Sequence, residues 1–414
     1  MKQKLAVIAV AGAFAVPGLA LAQSTTSVVI SGYVKVAVGQ ISNSGATPTA
    51  AGVLPRAGLN SSEARLNDDG TRIAFTIRDQ IDSNLVGIAQ IELRPTIDGN
   101  SGVASGASGA GFGSSTGSNY IGLESKDYGT IKLGAQEQHY NQNTETSSTY
   151  APSQVATGLL NWVYIAQPAS GVSNAVAQNG INGASRTPNI VRWDSPNWSG
   201  FRLGVGYSFS QGSGSEADLT SGGRKGSSLV LNPTYTADTW RVGYSRLDDK
   251  RDAPVGTAAT GNWKGDRLFG EVKFSDFTVG FNWDKTAIDT VTAAGVVTKL
   301  SNRTAWSLPV KYQTGKHVVT GMYSKAQSDT VLLGDTSAKN WSVSYAYLFS
   351  ARTSIGVGYS VLTNGALGAY TLQGEQTKGG ASGANFQTGY NSGNSAAFTG
   401  EKQTYLGAVL RQSF

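Results

Sequence analysis

The sequence predicts an all-β chain, a 16-stranded antiparallel transmembrane β-barrel, and three observations carry that prediction. Apolar and polar residues alternate with period two along the chain, the connections between these stretches alternate between short and long, and residues 1–22 have the layout of a cleaved secretory signal. In that signal Lys2 and Lys4 precede an apolar stretch from Leu5 to Leu21, and Ala20-Leu21-Ala22 precedes Gln23. The mature chain is therefore expected over 23–414, as a single domain. Beyond residue 22 no apolar run approaches the roughly 20 residues that a membrane helix needs, so a membrane span would have to be made of strands.

Period-two stretches occur at 28–38, 71–80, 85–95, 118–125, 129–137, 189–195, 201–209, 227–236, 239–247, 264–274, 277–285, 302–312, 317–325, 338–349, 352–362 and 403–414. Strands of about ten residues, rising roughly 3.3 Å each and tilted near 45°, would cross about 24 Å, the height of the apolar band of such barrels. Short turns such as Ala237-Asp238, Ser275-Asp276 and Ser350-Ala351 alternate with long links rich in Gly, Ser and Thr. An outer-membrane barrel separates its loops in this way, with short turns facing the periplasm and long loops facing outward, whereas a soluble sandwich has no reason to.

Parity then assigns faces. In 201–209 the residues Phe201, Leu203, Val205, Tyr207 and Phe209 share one face, and Arg202, Gly204, Gly206 and Ser208 share the other. The same split holds for Phe277, Val279, Phe281 and Trp283, and for Trp341, Val343, Tyr345 and Tyr347. The apolar sets are expected to face lipid, with Trp and Tyr forming interfacial girdles. In the final strand Leu406, Ala408, Leu410 and Gln412 share a face, opposite Val409, Arg411 and Ser413, and the chain ends on the aromatic Phe414.

Composition narrows the function. The chain has no cysteine, so an exported protein of 414 residues would depend on a large hydrogen-bonded architecture rather than on disulfides. The formal charge of +6 falls to +4 without Lys2 and Lys4, which is no basis for nucleic-acid binding. His139 and His317 are the only histidines and have no partners at metal-ligand spacing, so neither a metal, a cofactor nor an enzymatic triad is expected. Asn67-Asp68-Asp69-Gly70 lacks the spacing of a calcium loop and is expected to be a turn before the second strand.

Several stretches resemble the general porins of the outer membrane of beta-proteobacteria, and the resemblance covers nearly the whole mature chain. They are 71–77 (TRIAFTI) with the acidic turn from Asp79 to Asn84, Tyr120-Ile-Gly-Leu, Tyr128-Gly-Thr-Ile-Lys-Leu-Gly, 189–201 (NIVRWDSPNWSGF), 350–359 (SARTSIGVGY) and the terminal strand. The 189–201 block is the most specific of these. The resemblance implies a homotrimer of 16-stranded barrels in outer-membrane lipid and lipopolysaccharide. Each barrel would carry its own diffusion channel narrowed by an inward-folded third external loop, and the barrel-insertion machinery would read the terminal aromatic, here Phe414. Two positions depart from the family: Lys35 stands where an aspartate is frequent, and Gly134-Ala-Gln136 stands where Gly-Arg-Gln is usual.

Over the first seven strands parity sends Lys35, Arg72, Arg78, Arg94, Lys132, Arg192 and Arg202 to the lumen with Glu92 and Asp194, a basic wall. The resemblance supports Arg72, Arg94 and Arg192 as selectivity residues, and parity adds Lys35 and Lys132. Residues 138–188 form the longest connection and contain Leu159, Leu160, Trp162, Val163, Tyr164 and Ile165. That apolar cluster fits a constriction loop packed on the inner wall, or alternatively a short surface helix or a trimer contact. Glu137 and Glu145 are the nearest carboxylates that could face the basic wall. The expected function is passive diffusion of small hydrophilic solutes and ions with mild anion preference; the alternative is a substrate-specific channel for small organic anions.

Overall fold

The computed structural model describes residues 26–48, 52, 62–95, 97, 117–137, 150–156, 187–209, 226–251, 260–291, 296–331, 334–368, 370, 372 and 399–414. The signal segment and most of the third long connection lie outside them. No helix among the described residues is long and apolar enough to cross a membrane.

The strands are β1 (Thr26–Ser44), β2 (Ser62–Asp68), β3 (Arg72–Gln80), β4 (Leu85–Leu93), β5 (Asn119–Ser125), β6 (Gly129–Gln136), β7 (Thr187–Asp194) and β8 (Phe201–Ser208). They continue with β9 (Gly226–Thr236), β10 (Trp240–Arg251), β11 (Thr260–Phe274), β12 (Phe277–Val291), β13 (Val297–Thr314) and β14 (His317–Ala326), and end with β15 (Ala338–Leu348), β16 (Thr353–Asn364) and β17 (Lys402–Ser413). All pair antiparallel in one sheet that closes where β1 meets β17, from Tyr33↔Ser413 to Ser44↔Lys402. Beyond the last ladder pair, Phe414 N donates to Gly32 O (3.1 Å) and Gly32 N donates to Phe414 O (3.3 Å), so the terminal residue extends the seam.

The 17 strands make 16 staves, because β2 and β3 both pair with β1 on the same side. Val36 faces Asp68 and Tyr33 faces Arg72, so Asp69, Gly70 and Thr71 stand opposite Val34 and Lys35. This is a β-bulge, one extra residue on the β2–β3 side. The Asp68 carboxylate caps it, accepting from Gly70 N (3.1 Å) and Thr71 N (3.2 Å). The segment expected as a turn before the second strand is thus a break inside a stave, and 62–68 is a strand where a loop was expected.

Strands on one side of the barrel run further than the alternation suggests. β10 continues to Arg251, β12 continues to Val291, and β13 begins at Val297. Past Tyr244 the outward positions of β10 are Arg246, Asp248 and Lys250, and Arg246 pairs with the outward Asp266 of β11. The outward face is polar there, so the hydrophobic period disappears while the backbone ladder continues.

Outward positions match the expected parity: Leu406 and Leu410 are exposed, while Tyr405 and Val409 are buried. The short connections behave as hairpins. Ser275 (φ 50°) sits in the two-residue link between β11 and β12, and Phe274 and Phe277 stack across its mouth at 5.5 Å. Beside the seam Tyr405 lies over the facing pair Gly39 and Gly407, where an added Cβ would come within 2.4 and 2.3 Å of its hydroxyl oxygen. Gly407→Val should therefore cost about 1–3 kcal/mol through overpacking. Heat-modifiable migration against temperature measures it, and an unchanged unfolding temperature would refute the packing.

Candidate functional site, the barrel lumen

The first seven staves carry Lys35, Arg72, Arg78, Lys132, Arg192 and Arg202 on the face opposite the exposed apolar side chains, and the structure shows which of them meet carboxylates. Lys35 of β1 is buried and its Nζ lies 2.8 Å from Asp69 Oδ2, the residue that the bulge turns inward. Arg78 of β3 grips Glu124 of β5 with both guanidinium arms (Nη2 to Oε1 2.7 Å, Nη1 to Oε2 3.1 Å). Arg94, just past β4, donates through Nε to Glu92 Oε1 at 2.9 Å. Arg192 of β7 is bidentate to Asp194 (3.1 and 3.1 Å) and donates from Nη1 to the main-chain carbonyl of Glu137 at 2.8 Å.

Arg72, Lys132 and Arg202 differ: no carboxylate approaches within salt-bridge distance among the described residues. Arg72 stacks over the Tyr33 ring at 5.0 Å, and Lys132 lies 5.0 Å over Tyr120. Arg202, exposed, occupies an inward position at the start of β8. Lys132 directly faces Arg192 across the β6–β7 ladder. Like charges opposite one another oppose sheet pairing, and the Asp194 carboxylate, bonded to Arg192, offsets part of that repulsion.

Sequence reasoning missed three members of this wall. Asp69 and Glu124 raise the number of luminal carboxylates, so the basic excess is smaller than seven against two. Arg411 of β17, seen on the inward face but outside a count confined to the first seven strands, lies 4.6 Å over Tyr33 and 5.7 Å over Tyr150. Tyr33 thus carries a guanidinium on either side, Arg72 and Arg411. Extending the parity count around to the seam would have found it.

Tyr150 belongs to the one described piece of the long connection, 150–156, which includes the single helical turn α1 (Ser153–Ala156). This piece lies inside the barrel. Ala151 and Val155 are buried in a cluster with Ile41, Leu362 and Tyr405. A Cβ on Gly358 would meet Val155 at 2.9 Å, and one on Gly356 would meet the Tyr150 carbonyl at 2.0 Å, so two inward glycines of β16 make room for the chain. Ser153 N donates to Asp69 Oδ2 at 3.2 Å, joining this segment to the Lys35 pair. The 159–165 cluster and Glu145 lie outside the described residues. Glu137 follows β6 and is half-buried.

At the external rim Asp335 accepts from Ser337 Oγ (2.6 Å), Ser337 N (3.1 Å) and Ser328 Oγ (3.1 Å). These bonds, the Ser337 hydroxyl foremost, hold its carboxyl below the usual range.

A closed 16-stave barrel with an apolar exterior and a charged interior defines an outer-membrane channel protein. The chain belongs to the Gram-negative porin family, whose family profile matches residues 6–367. Among solved structures it is similar to the anion-selective porin from Comamonas acidovorans (TM-score 0.61, 17% identity, 94% of this chain and 100% of that one). It is also similar to OmpT of Vibrio cholerae (TM-score 0.56, 12% identity, 94% and 98%) and to Salmonella typhi OmpF in complex with daunomycin (TM-score 0.53, 13% identity, 94% and 97%). At these identities the likeness is one of fold. No curated protein sequence matches the chain.

The pairs and the unpaired cations should respond differently to substitution. Asp69→Asn leaves Lys35, and Lys35→Met leaves Asp69, buried without its partner, and each should cost about 3–5 kcal/mol of stability. Thermal melts of both variants against the unsubstituted protein check this; unchanged melts would remove the pair from the fold's supports.

Proposed function

We propose that this outer-membrane porin passes small hydrophilic solutes and ions with a mild preference for anions, and that Arg72, Lys132 and Arg411 set that preference. The carrying observation is that these inward cations contact aromatic rings rather than carboxylates, so their charge reaches the lumen. A ring face holds a cation in place without cancelling it, and fixed charge on a narrow aqueous wall alters local ion concentration without tight binding. Lys35, Arg78, Arg94 and Arg192 shape the wall as ion pairs with Asp69, Glu124, Glu92 and Asp194, and Arg202 lies at the opposite end of its strand from the external loops. The anion-selective porin of Comamonas acidovorans shares the fold and supports the reading by analogy. We read the chain as a channel rather than a catalyst, from its family membership.

Residues 138–188 are assigned the role of constriction loop, supported by the inward position of 150–156. Neutralising Arg72 and Lys132 together should shift the reversal potential in a salt gradient toward cations; an unshifted potential would sink their assignment.

The homotrimer is supported by the uneven outer surface. Outward aromatics such as Trp240, Phe281, Trp341 and Tyr345 decorate β8–β16, whereas β1–β6 present chiefly aliphatics such as Val34, Val38, Ile91 and Ile121. Rings suit a headgroup boundary, so the sector poor in them fits contact with neighbouring barrels, and the ringed sector fits outer-membrane lipid and lipopolysaccharide. Ile121→Arg should abolish the slow-migrating oligomer band on a semi-native gel while the barrel remains folded; an intact oligomer would place the interface elsewhere. Phe414 is proposed as the mark read by the insertion machinery, consistent with its exposed ring beside the seam.

A further inference from the structure

Two lysines face each other on the outer surface. Lys325 of β14 stands directly opposite Lys339 of β15, and the same row of outward positions continues through Thr363 of β16 to Lys402 of β17. All three lysines are exposed. Like charges in facing positions oppose sheet pairing, so the bare surface is strained by its own charge and gains from an anion. From Lys325 to Lys402 is three strand spacings, roughly 14 Å, which flexible four-carbon stems can close from both ends.

No carboxylate lies within salt-bridge distance of these lysines among the described residues. Asp335 at the rim feels the charge of Lys325, but its carboxylate is taken up by the hydroxyls of Ser337 and Ser328 at 2.6 and 3.1 Å. Glu401, beside Lys402 in sequence, is fully buried. The neighbouring sector is built differently. There the outward Lys264 faces Asp248, and the outward Lys285 faces Asp266, which also binds Arg246. Uncompensated outward charge is thus concentrated on β14–β17.

Aromatic rings lie directly below it. On the short-turn side of Lys325 and Lys339 the next outward residues are Tyr323 and Trp341, which again face each other. Trp306, opposite Lys325 on β13, packs on Tyr323 at 5.5 Å, and Trp341 packs on Tyr359 at 5.4 Å. Rings of this kind mark the headgroup level, so the three ammonium groups stand just beyond the hydrocarbon on the long-loop side, at the depth of lipid phosphates.

We propose that Lys325, Lys339 and Lys402 form a binding site for a phosphate of the outer leaflet's glycolipid, lipopolysaccharide, and hold it directly rather than through a bridging divalent cation. It rests on the reading of the ringed sector as lipid-facing. A phosphate monoester carries a charge of about −1.5 to −2 and accepts charge-assisted bonds from several ammonium groups at once. A calcium ion takes about six to eight oxygen ligands, and a patch of three cations without a carboxylate gives it nothing to bind. The glycolipid's acyl chains would lie along the rings below.

The test is equilibrium binding of diphosphoryl lipid A to the refolded mature protein in neutral detergent, with and without EDTA. The wild type should bind equally well in both. Lys325→Gln, Lys339→Gln and Lys402→Gln together should weaken binding by about 100-fold, on the order of fivefold per lysine. Without lipid this variant should melt no lower than the wild type, since facing like charges have been removed. Lys264→Gln with Lys285→Gln should leave binding unchanged. Wild-type affinity in the triple variant, or loss of binding in EDTA, would overturn the site, and equal competition by inorganic phosphate or phosphatidylglycerol would overturn the glycolipid as its occupant. Brominated-chain lipid in reconstituted vesicles separates the two readings through tryptophan fluorescence. Quenched barrels that do not bind lipid A overturn the phosphate site alone; unquenched ones overturn the lipid-facing sector as well.

Discussion

Closure of the sheet is the constraint on which the rest of this molecule depends. In hydrocarbon an unpaired backbone N–H or C=O costs several kcal/mol, so the ladder between β1 and β17 has to be complete. It runs without interruption from Tyr33↔Ser413 to Ser44↔Lys402 and is extended by the reciprocal bonds of Phe414 with Gly32. Once the sheet is closed, every strand has an inside and an outside, and the period of two turns sequence order into pore chemistry. The seam also has a packing requirement, met by two facing glycines beneath Tyr405.

Charge in the lumen is governed by a second competition. A guanidinium near a carboxylate gains a strong charge-assisted bond but loses reach, while one held by a ring keeps its field. Both solutions stand side by side here: Arg192 is clasped by Asp194, and Lys132 opposite it rests on Tyr120. Counting cations therefore overstates the wall's potential, and the identity of each cation's neighbour matters more than the total.

How much of this was legible in the sequence depends on how local the cause is. Barrel, strand number and facing were legible because each follows from a two-residue period and from loop length. Strand ends above the apolar band were not, since Arg246, Asp248 and Lys250 stand on an outward face that is no longer apolar. Parity cannot tell a paired cation from an unpaired one: Lys35 meets Asp69 through a bulge, and Arg78 meets Glu124 two strands away.

The bulge at Asp69-Gly70-Thr71 acts on the stave as a frame correction. Below it even-numbered residues such as Arg72 and Arg78 point inward, and above it odd-numbered ones such as Asn67 do, opposite Ala37. If the same residues were paired as one regular strand, with no bulge, one half of the stave would be out of phase: Leu66 would enter the water-filled channel, or Arg72 would face the barrel's exterior. Leaving a single residue out of the ladder therefore lets two segments of opposite sequence parity share one hydrogen-bonded wall. It also turns Asp69 toward Lys35, so the correction of phase and the neutralisation of that lysine are one event in the chain.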